Sequence, residues 1–76
     1  MRNGKISMTD KPAAIPELSQ VRLLRQVGPI AEGNVGTVVH VYPRGDAYEV
    51  EFRTGPEDYD WHLETCPPDA VEALNV

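Results

Sequence analysis

A continuous β pattern between residues 32 and 52 limits what this chain can fold into more than any other feature. The run VGTVVHVY is dominated by β-branched side chains, and the following run AYEVEF alternates apolar with acidic side chains. The PRGD segment between them has turn chemistry, and Gly45 is expected to take the left-handed position of a type I turn with a bulge. The pattern predicts a β-hairpin. The inward face of its second strand is expected to carry Tyr48, Val50 and Phe52.

Three more segments have the pattern of short strands. Residues 18–25 alternate well enough for a strand, although a helix is also possible there. YDWHLET alternates again, with Tyr59, Trp61 and Leu63 on one face, and we expect Trp61 to help fill the core. CPPD must interrupt regular structure because its two prolines lack N–H donors. A 3-10 turn beginning at Pro67 would then lead into a last strand, AVEAL.

These segments predict an all-β domain with about five strands. The order is strand, long irregular loop, three-stranded meander, 3-10 turn and final strand, which is that of a small SH3-like barrel. We expect the barrel to span residues 17–76. Residues 1–16 are polar, contain two prolines and show no periodicity. We therefore expect a disordered, flexible N-terminal tail over residues 1–16.

Size and composition argue against several classes of protein. A chain of 76 residues forms one domain at most and leaves little room for the deep, dry cavity that enzymes use. The single cysteine excludes an internal disulfide, so a reducing cytoplasm is the simplest expectation. No apolar run approaches the length of a signal peptide or a membrane span, so we expect no membrane association.

The charge is unevenly distributed along the chain. The net charge is −5; residues 1–45 carry six Lys or Arg and three acids, and residues 46–76 carry one Arg and nine acids. An acidic half repels a phosphate backbone and would steer a basic protein partner. The alternative is a solvated acidic surface that keeps a small protein in solution.

The spaced glycines Gly33 and Gly36 do not match a phosphate-binding fingerprint. Both known fingerprints require a following helix, and here a β-branched strand follows. We expect a structural role at the entry of this strand, where a side chain would clash. Gly45 and Pro67 are also expected to act structurally, in their turns.

No residue pattern supports catalysis, a cofactor or a metal. His40, His62 and Cys66 are the only soft ligands, and a structural zinc site needs four. Cys66 with His62 is the one nucleophile–base pair that could be drawn, and nothing supplies an oxyanion site. We therefore expect a protein that is not an enzyme, with no cofactor and no metal ion.

Exposed aromatic and acidic residues are the best candidates for contact with a protein partner. An acidic rim beside an aromatic ring suits an Arg or Lys of another protein. The expected partner-binding residues are Tyr42, Glu57, Asp58, Tyr59 and Asp60.

The segments VRLLRQV, EGNVGTVVHVY, DAYEVEF and TCPPDAVEAL resemble a small bacterial family known as domain of unknown function 4926. The resemblance covers about residues 18–74 and implies an SH3-like fold and an uncharacterised role. Members often accompany toxin-type genes, which implies an antitoxin or immunity role by association. Asn34 stands where an Asp is common, and Cys66 where a leucine is usual. The second departure indicates that Cys66 is a small, buried, apolar residue.

Three functions follow as alternatives. The first is a non-enzymatic module that binds another protein and is itself a monomer or weak homo-oligomer. The second is nucleic-acid binding, because GNVGTVV resembles the strand entry of KOW motifs; it would use Arg22, Arg25 and Arg44, although KOW modules on RNA are typically basic. The third is a structural domain with no ligand.

Overall fold

The computed structural model describes residues 14–74. The tail predicted for residues 1–16 therefore lies, up to residue 13, outside the described residues. The five strands are β1 (Gln20–Leu23), β2 (Val35–Val41), β3 (Tyr48–Arg53), β4 (Trp61–Cys66) and β5 (Val71–Ala73), with 3-10 turns at Pro43–Gly45 and Pro68–Ala70. Within residues 14–74, no helix has the length and apolar character needed to cross a bilayer.

All five strands form one antiparallel sheet in the order β4-β3-β2-β1-β5. A long irregular loop joins β1 to β2, shorter loops join β2 to β3 and β3 to β4, and a 3-10 turn precedes β5. The prediction of an all-β, SH3-like barrel of about five strands is confirmed. Residues 18–25 contain a strand, so their helical alternative is wrong. The second 3-10 turn begins at Pro68, one residue after the predicted start.

The core lies on one face of the curled sheet. The prediction that Tyr48, Val50 and Phe52 face inward is confirmed, since each is at most 4% exposed. Cys66 is fully buried, as its position in place of a usual leucine predicted. The remaining buried residues are Val21, Leu23, Val27, Ile30, Val38, Ala70 and Val71.

The core extends to Ile15, inside the segment predicted as tail. The Ile15 side chain packs against the core cluster, and its N–H donates to the Tyr48 hydroxyl at 3.0 Å. This bond satisfies the polar end of a buried tyrosine, which would otherwise be left without a partner. Ile15, two residues before the predicted start of the barrel at residue 17, therefore packs against the core.

A β-bulge interrupts the pairing of β2 with β3. Val38 pairs with Val50, but His40 pairs with Glu49, so Val39 is an extra residue on β2. Beyond the bulge, His40 lies on the same outer face as Glu49, while Val41 turns back to the core. A bulge changes which residues of a strand face each side.

The connection between β2 and β3 differs from the predicted turn. Gly45 has a positive φ of 69°, but Arg44 before it also has a positive φ, of 63°. The N–H of Gly45 donates to the Tyr42 carbonyl, and that of Asp46 to the Pro43 carbonyl. Two consecutive left-handed residues therefore form the reversal, and one of them is not glycine.

The orientation of β4 is opposite to the predicted one. Trp61 was expected to help fill the core, with Leu63 on the same face of the strand, yet the two are 48% and 45% exposed. The reason is the register with β3, because His62 pairs with the buried Phe52 and shares its face. Since Cys66 is buried at the other end of β4, every second residue back from it faces inward. The prediction that Trp61 fills the core is wrong.

Gly36 provides a test of how closely β2 and β3 pack. A Cβ at Gly36 would lie 2.7 Å from the Glu51 carbonyl oxygen and 2.8 Å from Cδ1 of Phe52. We expect Gly36→Ala to lower the free energy of unfolding by about 2–3 kcal/mol, because the added methyl group overpacks the centre of the sheet. Urea denaturation would measure this loss.

Gly33→Ala is the matched control for this substitution. A Cβ at Gly33 would meet nothing within 4 Å, and only its φ of 92° disfavours a side chain. Its cost should stay at about 1 kcal/mol. A Gly36→Ala protein as stable as the parent would contradict the close packing.

Candidate functional site

Three large apolar residues stand exposed at alternate positions along β4 and the turn before it. Tyr59 is 76% exposed, Trp61 48% and Leu63 45%. We call Tyr59, Trp61 and Leu63 the β4 outer row. Single exposed apolar residues are ordinary, but a row of two aromatic residues and a leucine on a strand at the margin of a sheet is typical of a contact surface.

The neighbouring strand gives this row a charged border. Across the β3–β4 ladder, Arg53 pairs with Trp61, and Glu51 pairs with Leu63. The turn that precedes β4 carries Glu57, Asp58 and Asp60, three of the predicted partner-binding residues. The apolar row is therefore flanked by Glu51 and Arg53 on one side and by acidic groups at one end.

Hydrogen bonds hold the acidic turn in a fixed shape. The Asp60 carboxylate accepts the Glu57 N–H at 3.0 Å, and the Asp60 N–H donates to the Glu57 carbonyl at 3.0 Å. Arg53 also donates to the Glu57 carbonyl, at 2.8 Å. Asp60 thus shapes the turn, while Glu57 and Asp58 lie at the surface beside Tyr59.

Tyr42, the fifth predicted partner-binding residue, lies at the other end of β3. Its hydroxyl donates to the Glu49 carboxylate at 2.6 Å, and the Thr65 hydroxyl donates to the same oxygen at 2.6 Å. The ring of His40 meets that of Tyr42 edge-on, with centroids 4.8 Å apart. The length of β3, roughly 17 Å at the usual rise per residue, separates this network from the acidic turn. The predicted residues therefore form two groups.

These hydrogen bonds shift the pKa values of Glu49 and Tyr42. The Thr65 and Tyr42 hydroxyls, in that order, lower the pKa of the Glu49 carboxyl. The bond to Glu49 raises the pKa of the Tyr42 hydroxyl. The ionised Glu49 carboxylate can only accept hydrogen bonds, and it accepts those of Tyr42 and Thr65. The two bonds therefore favour its charged form.

The opposite face of β4 carries a second polar pair. His62 Nε2 lies 2.6 Å from Glu64 Oε1, and their side chains are 41% and 24% exposed. The Glu64 carboxylate packs against Gly28 of the β1–β2 loop, where a Cβ would come within 2.6 Å of Oε2. This pair marks the margin of the core on the inner side of β4.

Cys66 lacks the features of a nucleophile. Its side chain is fully buried, and burial raises the pKa of the thiol to about 11, away from the thiolate form that reacts. His62 is bonded to Glu64, and the thiol contacts the Glu64 carbonyl at 3.7 Å. Among residues 14–74, no three His, Cys, Asp or Glu side chains are grouped closely enough to hold a metal ion.

Two of the three arginines considered for phosphate binding are engaged by acids. Arg22 forms an ion pair with Glu72 of β5, and Arg25 donates to Asp69 at 2.7 Å. Arg44 lies in the turn before β3, next to a groove of about 380 Å³. The groove runs between this turn and β5, and its lining includes Ile15, Tyr48, Pro68 and Val71.

The remaining predicted structural residues lie at turns. Gly33 has a φ of 92° just before β2, and its N–H donates to the Leu23 carbonyl. Pro67 precedes the second 3-10 turn, and its carbonyl accepts the Ala70 N–H at 3.0 Å. Neither residue belongs to the β4 surface.

The sequence analysis missed the exposure of Trp61 and Leu63. Alternation divides a strand into two faces without saying which one is buried. The available signal was Cys66, predicted to be a buried residue, because counting back from it by twos assigns Glu64 and His62 to the inner face. Trp61 and Leu63 then fall on the outer face.

The family model for Domain of unknown function (DUF4926) matches residues 15–58, which is more than half of the chain. The chain belongs to this family. The matched region begins at Ile15, which packs against the core, and runs through β3 into the acidic turn. No curated protein and no solved structure matches the chain.

The Glu49 network predicts a measurable titration. Thr65→Val and Tyr42→Phe should each raise the pKa of Glu49 toward its ordinary value, and Thr65→Val should raise it more. NMR of the Glu49 side-chain carboxyl over acidic pH would follow this. Because folding lowers this pKa, the network stabilises the protein above the unfolded-state pKa, and the contribution is lost as pH falls through the folded-state pKa.

Thr37→Val is the control for the titration. Thr37 pairs with Glu51 on the same outer face, so its substitution should leave the pKa of Glu49 unchanged. Equal titration of Glu49 in the parent and in both network variants would contradict the assigned hydrogen bonds.

Proposed function

We propose that this domain is a non-enzymatic protein-binding module and that the β4 outer row is its contact surface. The observation that carries the proposal is the exposure of Tyr59, Trp61 and Leu63 at alternate positions along β4 and the turn before it, since β4 has one neighbouring strand within residues 14–74. The proposal keeps Tyr59, Glu57 and Asp58 from the predicted contact residues. It adds Trp61 and Leu63.

The physical chemistry of interfaces supports this surface. Binding energy concentrates in a few large side chains, tryptophan and tyrosine above all, when a polar rim keeps water away from them. Trp61 and Tyr59 are the large side chains here, and Glu51, Glu57 and Asp58 supply the polar rim. The acidic rim favours a partner that presents Lys or Arg around an apolar centre.

Nucleic-acid binding has less support. Counterion release needs cations that are free to meet phosphates, and Arg22 and Arg25 are already paired with acids. Catalysis also has less support, since the buried Cys66 thiol is disfavoured as a thiolate. An antitoxin or immunity protein would be one form of a protein-binding module, and that finer proposal rests on the resemblance to the family alone.

Substitutions on the β4 outer row test the proposal. Tagged chain would be expressed in the source cells and purified, and co-purifying proteins would be quantified by mass spectrometry. We expect one near-stoichiometric partner with the parent chain. Trp61→Ser or Leu63→Ser should reduce its recovery, because loss of a central apolar side chain weakens binding by roughly 30-fold.

Leu24→Ser is the matched control. Leu24 is 45% exposed, the same fraction as Leu63, but it follows β1. It should leave the recovery of the partner unchanged. Thermal unfolding of all variants would show that each remains folded. A partner retained equally by the Trp61 and Leu63 variants would refute this contact surface.

A further inference from the structure

We propose that the free edge of β4 binds an extended partner segment as an added antiparallel strand, and that this segment alternates apolar with basic side chains. This inference rests on the proposed function and specifies the chemistry of the partner. Three features of β4 define the segment. The open backbone groups of the edge call for an extended strand, the β4 outer row for apolar side chains, and the Glu64 carboxylate on the inner side for basic side chains.

The first step is that β4 offers backbone groups on its open side. Within the described residues, β4 is the last strand of the sheet and pairs with β3 alone. The Thr54 N–H donates to the Asp60 carbonyl, so Thr54 and Asp60 form a hydrogen-bonded pair at the end of the β3–β4 ladder. Hydrogen-bonded and non-hydrogen-bonded pairs alternate from there along β4. In an antiparallel pair, every second residue points its N–H and C=O at the neighbouring strand. His62, Glu64 and Cys66 therefore point their backbone groups toward β3.

Leu63 and Thr65 consequently point their N–H and C=O groups away from the sheet. Within residues 14–74, no other backbone group bonds to them. The Trp61 N–H donates a hydrogen bond to the Tyr59 carbonyl at 3.1 Å and is therefore not open to a partner. Such an open row of donors and acceptors is a template for another strand.

The second step concerns the side chains of the added strand. Residues directly opposite each other in a ladder lie on the same face. A residue opposite Leu63 would therefore meet the apolar outer row. A residue opposite Glu64 would lie on the inner side, beside the His62–Glu64 pair, whose carboxylate is 24% exposed. Apolar side chains suit the first position, and Lys or Arg suits the second.

The third step distinguishes this partner from a second copy of the chain. Acidic side chains lie on β4, opposite it on β3 and in the turn before it: Glu49, Glu51, Glu57, Asp58, Asp60 and Glu64. Two copies joined at β4 would therefore bring two negative surfaces together. Like charges across an interface oppose association. A basic segment instead gains attraction from the same groups, so a partner of different chemistry is favoured.

A synthetic peptide tests the inference without knowledge of the natural partner. The probe is a blocked seven-residue peptide in which Lys and Val alternate, with Lys at both ends. Trp61 is the only tryptophan, so its fluorescence reports binding at this strand. We expect the peptide to change that fluorescence and to shift the backbone amide signals of Leu63 and Thr65 in NMR spectra at low salt.

Backbone N-methylation separates strand addition from side-chain contact. In antiparallel addition, the residues opposite Leu63 and Thr65 direct their N–H groups at β4. Methylating the valine nitrogens should therefore weaken binding by at least about tenfold, because several hydrogen bonds are lost. Methylating the lysine nitrogens should have little effect, since those groups face solvent. Equal binding of the two methylated peptides overturns strand addition.

Charge and order provide the remaining controls. A peptide with Glu in place of Lys should not bind, and Glu64→Gln should weaken the Lys–Val peptide by roughly threefold, whereas Glu17→Gln should not. A peptide of the same composition with its lysines and valines in two blocks should bind more weakly than the alternating one. If the peptide with separate lysine and valine blocks binds as tightly as the alternating peptide, the predicted alternation is refuted.

The peptide and cell experiments fail in distinguishable ways. If no peptide binds at millimolar concentration, strand addition by an alternating basic segment is overturned. If a cellular partner is nevertheless lost on Trp61→Ser, the protein-binding proposal stands. A dimer seen by analytical ultracentrifugation, with the Leu63 and Thr65 amides protected from exchange, would also overturn the inference, because a second copy would then occupy the edge.

Discussion

The contact of β3 with Gly36 is the constraint on which the rest of the sheet depends. β2 is the central strand, and Gly36 pairs with Val21 of β1 on one side while Val50 and Phe52 fill the space above it. Only a residue without a Cβ lets these side chains approach so closely. This contact fixes the inner face of β3. Through the β3–β4 ladder it also fixes which residues of β4 face solvent.

The exposed surface of β4 is therefore a consequence of core packing. Phe52 occupies the core opposite His62, and the fully buried Cys66 sets the alternation at the far end. The largest side chain of the strand, Trp61, is left outside, and a carboxylate is left at the margin of the core. The β3–β4 register thus determines both the residues of β4 that join the hydrophobic core and those that form the surface proposed to bind a partner.

The sequence predicted local structure better than it predicted faces. Alternation at Tyr48, Val50 and Phe52 was sufficient for β3, because its polar positions are all charged. It was misleading for β4, where both faces carry large or polar side chains and only pairing with β3 decides between them. The acidic turn was recognisable from composition, but the use of the Asp60 carboxylate as an acceptor within it depends on geometry. The distance between Tyr42 and that turn depends on the sheet.

The bulge at Val39 decides which residues beyond it face the core, in a way that composition does not show. Because one extra residue separates Val38 from His40, Tyr42 reaches the outer face and bonds to Glu49, while Val41 packs against the core. A regular ladder that kept every residue of β2 would exchange these two side chains. A tyrosine hydroxyl would then face the core and a valine would face water. Deleting Val39 would instead remove the bulge and keep the pairs of His40 with Glu49 and of Val41 with Tyr48, so both faces would be preserved. In family members aligned through this strand, a one-residue gap at Val39 is therefore compatible with the same core.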